Sequence, residues 1–349
     1  MKILFRTDAG LQIGAGHAMR CLALAQACRD CEAEGIFAMA ETLPAIATRL
    51  SDEGMAVSPI TASAGSAEDA ARTADLARAQ GCAGVVVDGY TFGAEFQQTL
   101  KDAGLRVLFI DDNGHASHYS ADFVLNQNLH ASPALYPSCA AGTQLLLGPH
   151  YSLLRREFSA WRGWRREIPP VARKILVTLG ASDPANATLR SIQALDSLKA
   201  KQPTLTENLE VTILVTGGNP HLQTLQSEAA KSGFAVLVNA ADVSQQMAAA
   251  DLAVSAAGST CYEMAQLGLP ACLLVTAENQ AGSAAELDER GIFQNLGRVG
   301  EIGAGEIAGA VGDLLSSLER RRAMSERGQA LVDGCGAQRL ADILCNAKN

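Results

Sequence analysis

The chain has 349 residues, 48% of them hydrophobic and only 5% aromatic, which excludes a disordered or fibrous protein and leaves room for two cores. Its 28 Lys and Arg stand against 37 Asp and Glu, a net charge of −9, and the cations gather on no single long helix, which argues against nucleic acid as the main partner and for a small molecule. No apolar run approaches the ~20 residues that cross a bilayer, and the opening MKILFRTDAG has too short an apolar start for a signal peptide or anchor, so no membrane association and a cytoplasmic location are expected.

In chain order, KILF (2–5), GVVVD (84–88), RVLFID (106–111), ADFVLN (121–126) and TQLLLG (143–148) read as strands. They alternate with helical stretches such as HAMRCLALAQACRD (17–30) and SAEDAARTADLARAQ (66–80). That alternation predicts a parallel sheet with crossover helices. The pattern restarts with KILVTLG (174–180), followed by EVTILVT (210–216), FAVLVN (234–239), DLAVSA (251–256) and PACLLV (270–275). The reading is an α/β protein of two Rossmann-like, doubly wound domains, 1–150 and 174–335. The stretch 151–173, with Trp161, Trp164, a run of arginines and Pro169–Pro170, reads as a linker with apolar anchors and solvated charges. Beyond residue 303 the period is helical, ending in a tail at 336–349 that is expected to pack on the outside and to return over the first domain. Nine cysteines, an odd number, fit reduced thiols. Cys28 and Cys31 have CxxC spacing with no second pair, and burial at a helix end is favoured over a metal or redox role.

Ligands of open parallel sheets bind beyond the carboxyl ends of the strands, so the informative residues lie where apolar runs give way to Gly, Asp, Ser or Asn. After the first strand, QIGAGHAMR places Gly14 and Gly16 where the chain must turn tightly and approach a ligand, with Arg20 one turn on. A dinucleotide fingerprint would need a third glycine at position 19, which is Met19. His17 opens a helix whose apolar face runs Ala18, Cys21, Leu22, Ala25, Cys28; the helix dipole there disfavours the imidazolium, as a general base near neutral pH requires. A capping or packing histidine is the competing reading. Asp88, Tyr90, Asp111 and Asp112 end two further strands on the same rim. His115 and His118 have no evident third ligand, so metal-free chemistry is favoured.

In the second half, VTLGASDPAN offers Gly180, Ser182 and Asp183 before Pro184 at a helical first position, either a phosphate-binding turn or a helix capped by Asp183. SAAGSTCYEMAQLGLP places Gly258, Ser259 and Thr260 at a helix start with Glu263 one turn in, suited to a diphosphate and a ribose, or to a capping box. AENQAG puts Asn279 and Gln280 at the next strand end.

Taken together and in order, FRTDAGLQIGAGHAMRCLALA, VVVDGY, IDD, VLNQN, LLGPHYSLLRREF, TLGASDPAN, GSTCYEMAQLGLP and ENQ resemble the UDP-2,4-diacetamido-2,4,6-trideoxy-β-L-altropyranose hydrolases of pseudaminic acid biosynthesis, across nearly all of the chain. Spore-coat polysaccharide proteins share the pattern. The resemblance implies the GT-B architecture, two Rossmann-like domains facing a cleft, with a UDP-sugar as substrate; no cofactor and a monomer are expected. It also implies that water attacks the anomeric carbon with inversion and UDP leaves. Under it His17 activates that water, Asn279 and Tyr90 fall on motif positions that touch substrate or support the histidine, and Glu263 falls where related GlcNAc transferases grip the ribose. Substrate contact is assigned to Gly14, Gly16, Arg20, Asp88, Gly180, Ser182, Asp183, Gly258, Ser259, Thr260, Glu263 and Gln280. A glycosyltransferase of the same architecture and a non-catalytic nucleotide-sugar binder remain alternatives.

Overall fold

A computed structural model describes residues 1–10, 13–180 and 183–346. The chain divides into two compact units, Met1–Ser159 with Gly334–Asn349, and Ala160–Asp333. The C-terminal helix Gly336–Asn346 therefore belongs with the first unit.

The first unit is built on a parallel sheet of β1 (Lys2–Thr7), β2 (Glu34–Met39), β3 (Ala56–Pro59), β4 (Gly84–Asp88), β5 (Arg106–Ile110), β6 (Phe123–Asn126) and β7 (Gln144–Leu147). Its strand order is β3-β2-β1-β4-β5-β6-β7. β1 pairs on both sides, Phe5 opposite Phe37 and Val86, so its apolar run is continuous and its side chains alternate between two cores. Ile3 and Phe5 join the cluster that holds the helix Gly16–Asp30 and the C-terminal helix, while Leu4 faces the helices Ala67–Ala79 and Ala94–Asp102. Arg6 follows Leu4 on that second face. Fully buried, it forms a fork with Asp69, Nε to Oδ1 and Nη2 to Oδ2 both at 2.8 Å, and a 2.8 Å ion pair with Asp8.

The second unit repeats the plan with β8 (Lys174–Thr178), β9 (Glu210–Val215), β10 (Ala235–Val238), β11 (Leu252–Ala256), β12 (Ala271–Val275) and β13 (Gln294–Arg298), ordered β10-β9-β8-β11-β12-β13 and parallel throughout. The segment expected as a linker is tied to this unit at its C-terminal part. Arg166 donates to the carbonyls of Met247, Ala248, Ala250 and Leu267 beneath the Trp164 ring, and Trp161 Nε1 donates to Ser244 Oγ at 2.9 Å. Arg166 is thus not a solvated charge; it satisfies carbonyls that would otherwise be orphaned at element ends. Arg321 does the same for Leu314 and Leu315 at the end of the helix Ala304–Ser316, and for Pro169 and Pro170. Among the described residues no helix is long and apolar enough to cross a membrane.

Candidate active site

In each sheet the strand order reverses beside its first strand, between β1 and β4 and between β8 and β11, and the loops leaving those strands carry the candidate residues. In the first unit the chain leaves β1 and passes Gly14 at φ +74°, a conformation that only glycine adopts without strain. No described residue lies within 4 Å of where a Cβ would stand on Gly14 or Gly16. The helix Gly16–Asp30 follows, with His17 and Arg20 one turn apart and so on one face.

Asp88, the last residue of β4, reaches both. His17 Nδ1 lies 2.7 Å from Asp88 Oδ1, and Arg20 donates from Nε to Oδ2 and from Nη2 to Oδ1, each at 2.6 Å. Arg20 Nη1 forks onto Asp112 at 3.0 and 2.8 Å, and Asn128 Nδ2 donates to the same carboxylate at 2.7 Å. The Tyr90 ring stands edge-on to His17, centroids 4.7 Å apart, while its hydroxyl reaches Asp112 Oδ2 at 3.4 Å. Tyr90 is 45% exposed and His17 8%. Burial pushes the Asp88 carboxyl up, but the Arg20 charge and then His17 outweigh it and hold the group well below the usual carboxylate range. A carboxylate so held accepts only, so the His17 nitrogen that faces it, Nδ1, is the donor. Nε2 has no hydrogen-bond partner among the described residues.

Behind this cluster Asp111 accepts from the backbone of Asn113, Gly114 and His115 and from Tyr119 at 2.6 Å; against the effect of burial, His115 and Tyr119 lower its pKa to about 2. His115 bonds Asp111 and the Phe92 carbonyl, and His118 bonds Ser138, so both imidazoles have structural partners.

In the second unit, Gly180 leaves β8 at φ +90° with no described residue within 4 Å of its Cβ direction. Asp183, 3% exposed, accepts from Ala187 N and Thr188 N at 2.8 Å each and so caps the helix Ala187–Lys201. Pro184 lies in the turn, not at the first helical position, because the chain passes Asn186 at φ +49° before the helix begins. Asp183→Ala should lower the thermal midpoint of this unit, since loss of a cap costs about 1 kcal/mol; an unchanged melting curve would contradict the cap. After β11, Ser259 precedes the helix Thr260–Gln266 without a side-chain cap, so the Thr260–Glu263 capping box does not form. The N–H groups of Gly258, Ser259 and Thr260 donate to no described residue. Glu263 is buried one turn in. Gln280 Nε2 stands 3.7 Å from the Cβ direction of Gly258, and its Oε1 accepts from Thr276 N at 2.9 Å, which fixes the side chain beside that loop. Asn279 is exposed next to it.

The structure thus groups His17, Arg20, Asp88 and Tyr90 in one cluster and Gly258, Ser259, Thr260 and Gln280 around one loop. Three residues expected to contact substrate have side chains engaged within the protein. Asp88 has no exposed surface and serves His17 and Arg20, Arg20 is bound by two carboxylates, and Asp183 is a helix cap. Ser182 lies outside the described residues. Asn128 escaped the residue-by-residue reading; its signal was the polar end of VLNQN after β6.

Two Rossmann-like parallel-sheet units of this topology define a protein of the GT-B fold. The Acinetobacter baumannii MurG crystal structure superposes with a TM-score of 0.69 at 16% identity, over 99% of this chain and 100% of that one. Residues 174–298 match the family model described as the glycosyltransferase family 28 C-terminal domain. The chain is similar to the UDP-2,4-diacetamido-2,4,6-trideoxy-beta-L-altropyranose hydrolase of Campylobacter jejuni, 24% identical over 83% of this chain and 97% of that protein. It is also similar to a spore coat polysaccharide biosynthesis protein of Bacillus subtilis, 28% identical over 71% and 70% of the two chains. The resemblance first carried by the loop motifs therefore stands.

Proposed function

We propose that the protein hydrolyses UDP-2,4-diacetamido-2,4,6-trideoxy-β-L-altropyranose, releasing UDP and the free sugar by attack of water on the anomeric carbon with inversion. The observation that carries this reading is the His17–Asp88 pair: a 2.7 Å bond fixes the ring through Nδ1 and leaves Nε2 as a base at the topological switch point of its sheet. The likeness to the Campylobacter hydrolase over nearly its whole length supports it.

Breaking the bond between the anomeric carbon and the phosphate oxygen puts positive charge on the sugar and negative charge on the departing diphosphate. His17 Nε2 takes a proton from the attacking water as its oxygen bonds to carbon, and Asp88 stabilises the imidazolium so formed. Arg20 holds Asp88 ionised and in place, a positioning role. The amides of Gly258, Ser259 and Thr260 are oriented before reaction to meet the diphosphate, and Glu263 is assigned to the ribose hydroxyls. Asn279 and Tyr90 are assigned to the sugar.

Incubation of the protein with the UDP-sugar in ¹⁸O-water tests the reading: UDP appears without added acceptor, the label enters the sugar and not the UDP, and EDTA leaves the rate unchanged. The family 28 match favours one other reading, a transferase; release of UDP only when an acceptor is added would establish it and end the hydrolase proposal. Asp88→Asn should lower kcat at least tenfold with KM little changed, because the amide removes the charge that stabilises the imidazolium. An equal kcat would place Asp88 outside the chemistry.

A further inference from the structure

The CxxC pair has no part in the site above, and the fold brings a third thiol to it. Cys28 lies in the last turn of the helix Gly16–Asp30 and Cys31 is the residue that ends it. The C-terminal helix Gly336–Asn346 packs on that end, with Ala337, Leu340, Ala341 and Leu344 in one cluster with Cys28. Its polar side is held there as well: Gln338 Nε2 donates to Cys31 Sγ at 3.3 Å and to Asp342 at 3.1 Å. Spacings of four and three residues put Gln338, Asp342 and Cys345 along one helix stripe, so Cys345 arrives at the same place. There it packs, with Cys31, against the cluster that contains Cys28. Cys28 is fully buried, whereas Cys31 and Cys345 are half-buried and open to a small reagent.

These thiols differ in character. Burial pushes up the thiols of Cys261 and Cys272, to about 12 in each case. Cys345 is drawn the other way, below the ordinary thiol range, by Cys28 first and then by Cys31, against burial and Asp342. Cys28 is pushed up by its neighbour Cys345 and by burial, and keeps its proton. A thiolate reachable from solvent and touching a protonated thiol is the arrangement in which oxidation proceeds to a disulfide.

We propose that Cys345 is a peroxide-reactive thiol that closes a disulfide on Cys28, tying the C-terminal helix to the helix that carries His17 and Arg20 at its other end. The Cys345 thiolate attacks one oxygen of a peroxide and the O–O bond breaks, giving a sulfenic acid and hydroxide. The Cys28 sulfur then displaces the sulfenic hydroxyl; its proton leaves with that oxygen as water, and the proton first lost by Cys345 neutralises the hydroxide. Two thiols and one hydrogen peroxide yield one disulfide and two waters, the sulfurs losing the two electrons that the peroxide gains. The bond closes a loop of nearly the whole chain, so it removes much freedom from the unfolded state.

The test treats the reduced full-length protein with a modest excess of hydrogen peroxide, then counts free thiols, maps peptides and records melting. The expected result is loss of two thiols, a Cys28–Cys345 peptide pair, and a thermal midpoint raised by roughly 5 °C and reversed by dithiothreitol. Cys345→Ser should abolish all three, and Cys31→Ser should keep them. Cys28→Ser perturbs a buried position, so Cys345→Ser carries the comparison. No disulfide, a Cys28–Cys31 or Cys31–Cys345 bond in its place, or a pair that persists in Cys345→Ser would each overturn the proposal.

Discussion

Replacement of His17 by Ala is expected to lower turnover by about 10²- to 10⁴-fold, the usual contribution of a general base, while the dissociation constant for UDP measured by calorimetry stays within about twofold. The split follows from the division of labour. His17 belongs to the first unit, and the loop assigned to the diphosphate belongs to the second. The variant should also fold, because Asp88 loses one partner but keeps both of its bonds to Arg20 and is not left as an unpaired buried charge. The edge contact with Tyr90 disappears, but Tyr90 is largely exposed and retains its link to Asp112. Normal hydrolysis by a folded His17→Ala protein would mean that water is activated elsewhere, and the role given to the His17–Asp88 bond would fall with it. Loss of UDP affinity alone would turn the histidine into a binding residue.

The order of the loops was legible because central parallel strands, buried on both faces, are continuous apolar runs, and the polar residues at their ends stand out. KILF, GVVVD, RVLFI and LAVSA all lie in such strands. β2 is as apolar, yet it was hidden: the turn before it places Glu32 at φ +61°, so the usual sign of a helix end, a glycine, is missing. The edge strands β3 and β13 carry no fully buried residue, and AVSP and QNLGR have no strand pattern to detect. At the site, His17 and Asp88 could be placed on one rim but not joined, since the 2.7 Å contact depends on the register between β1 and β4, which no local pattern contains. Asp88 and Arg20, expected as substrate contacts, could likewise be placed on one rim but not joined; the packing pairs them with each other. Asp183 is the converse case, where the capping reading and the phosphate reading were both open and burial of the carboxylate identifies the cap.

Arg6 shows the same limit on a larger scale and leads to the largest expected loss of stability. In KILFRT an arginine after four strand residues reads as the point where the strand reaches solvent, but Arg6 has no exposed surface. Its partner Asp69 is 63 residues away, on a helix whose start Asp69 also braces by accepting from Gly65 N and from Thr73 Oγ1. Burial disfavours the Arg6 charge, but hydrogen bonds to Asp69 and Asp8 outweigh it and raise its pKa above the ordinary value. Asp8 in turn accepts from Ala40 N and Glu41 N, so one guanidinium joins the end of β1, the loop after β2 and the helix Ala67–Ala79. Arg6→Met keeps the stem against the Phe92 ring but leaves two buried carboxylates without their cation, and removal of one partner from such a pair costs about 3–5 kcal/mol. The urea midpoint of the first unit should fall accordingly. Adding Asp69→Leu should restore part of the loss, because an apolar pair of similar volume avoids the unpaired charge, whereas Asp69→Leu alone strands Arg6. The recovery should be incomplete, since Asp8 and Gly65 N still lack their partners. If Arg6→Met unfolds at the wild-type urea concentration, the buried network adds nothing net to stability, and the junction of strand, loop and helix must be held by apolar packing alone.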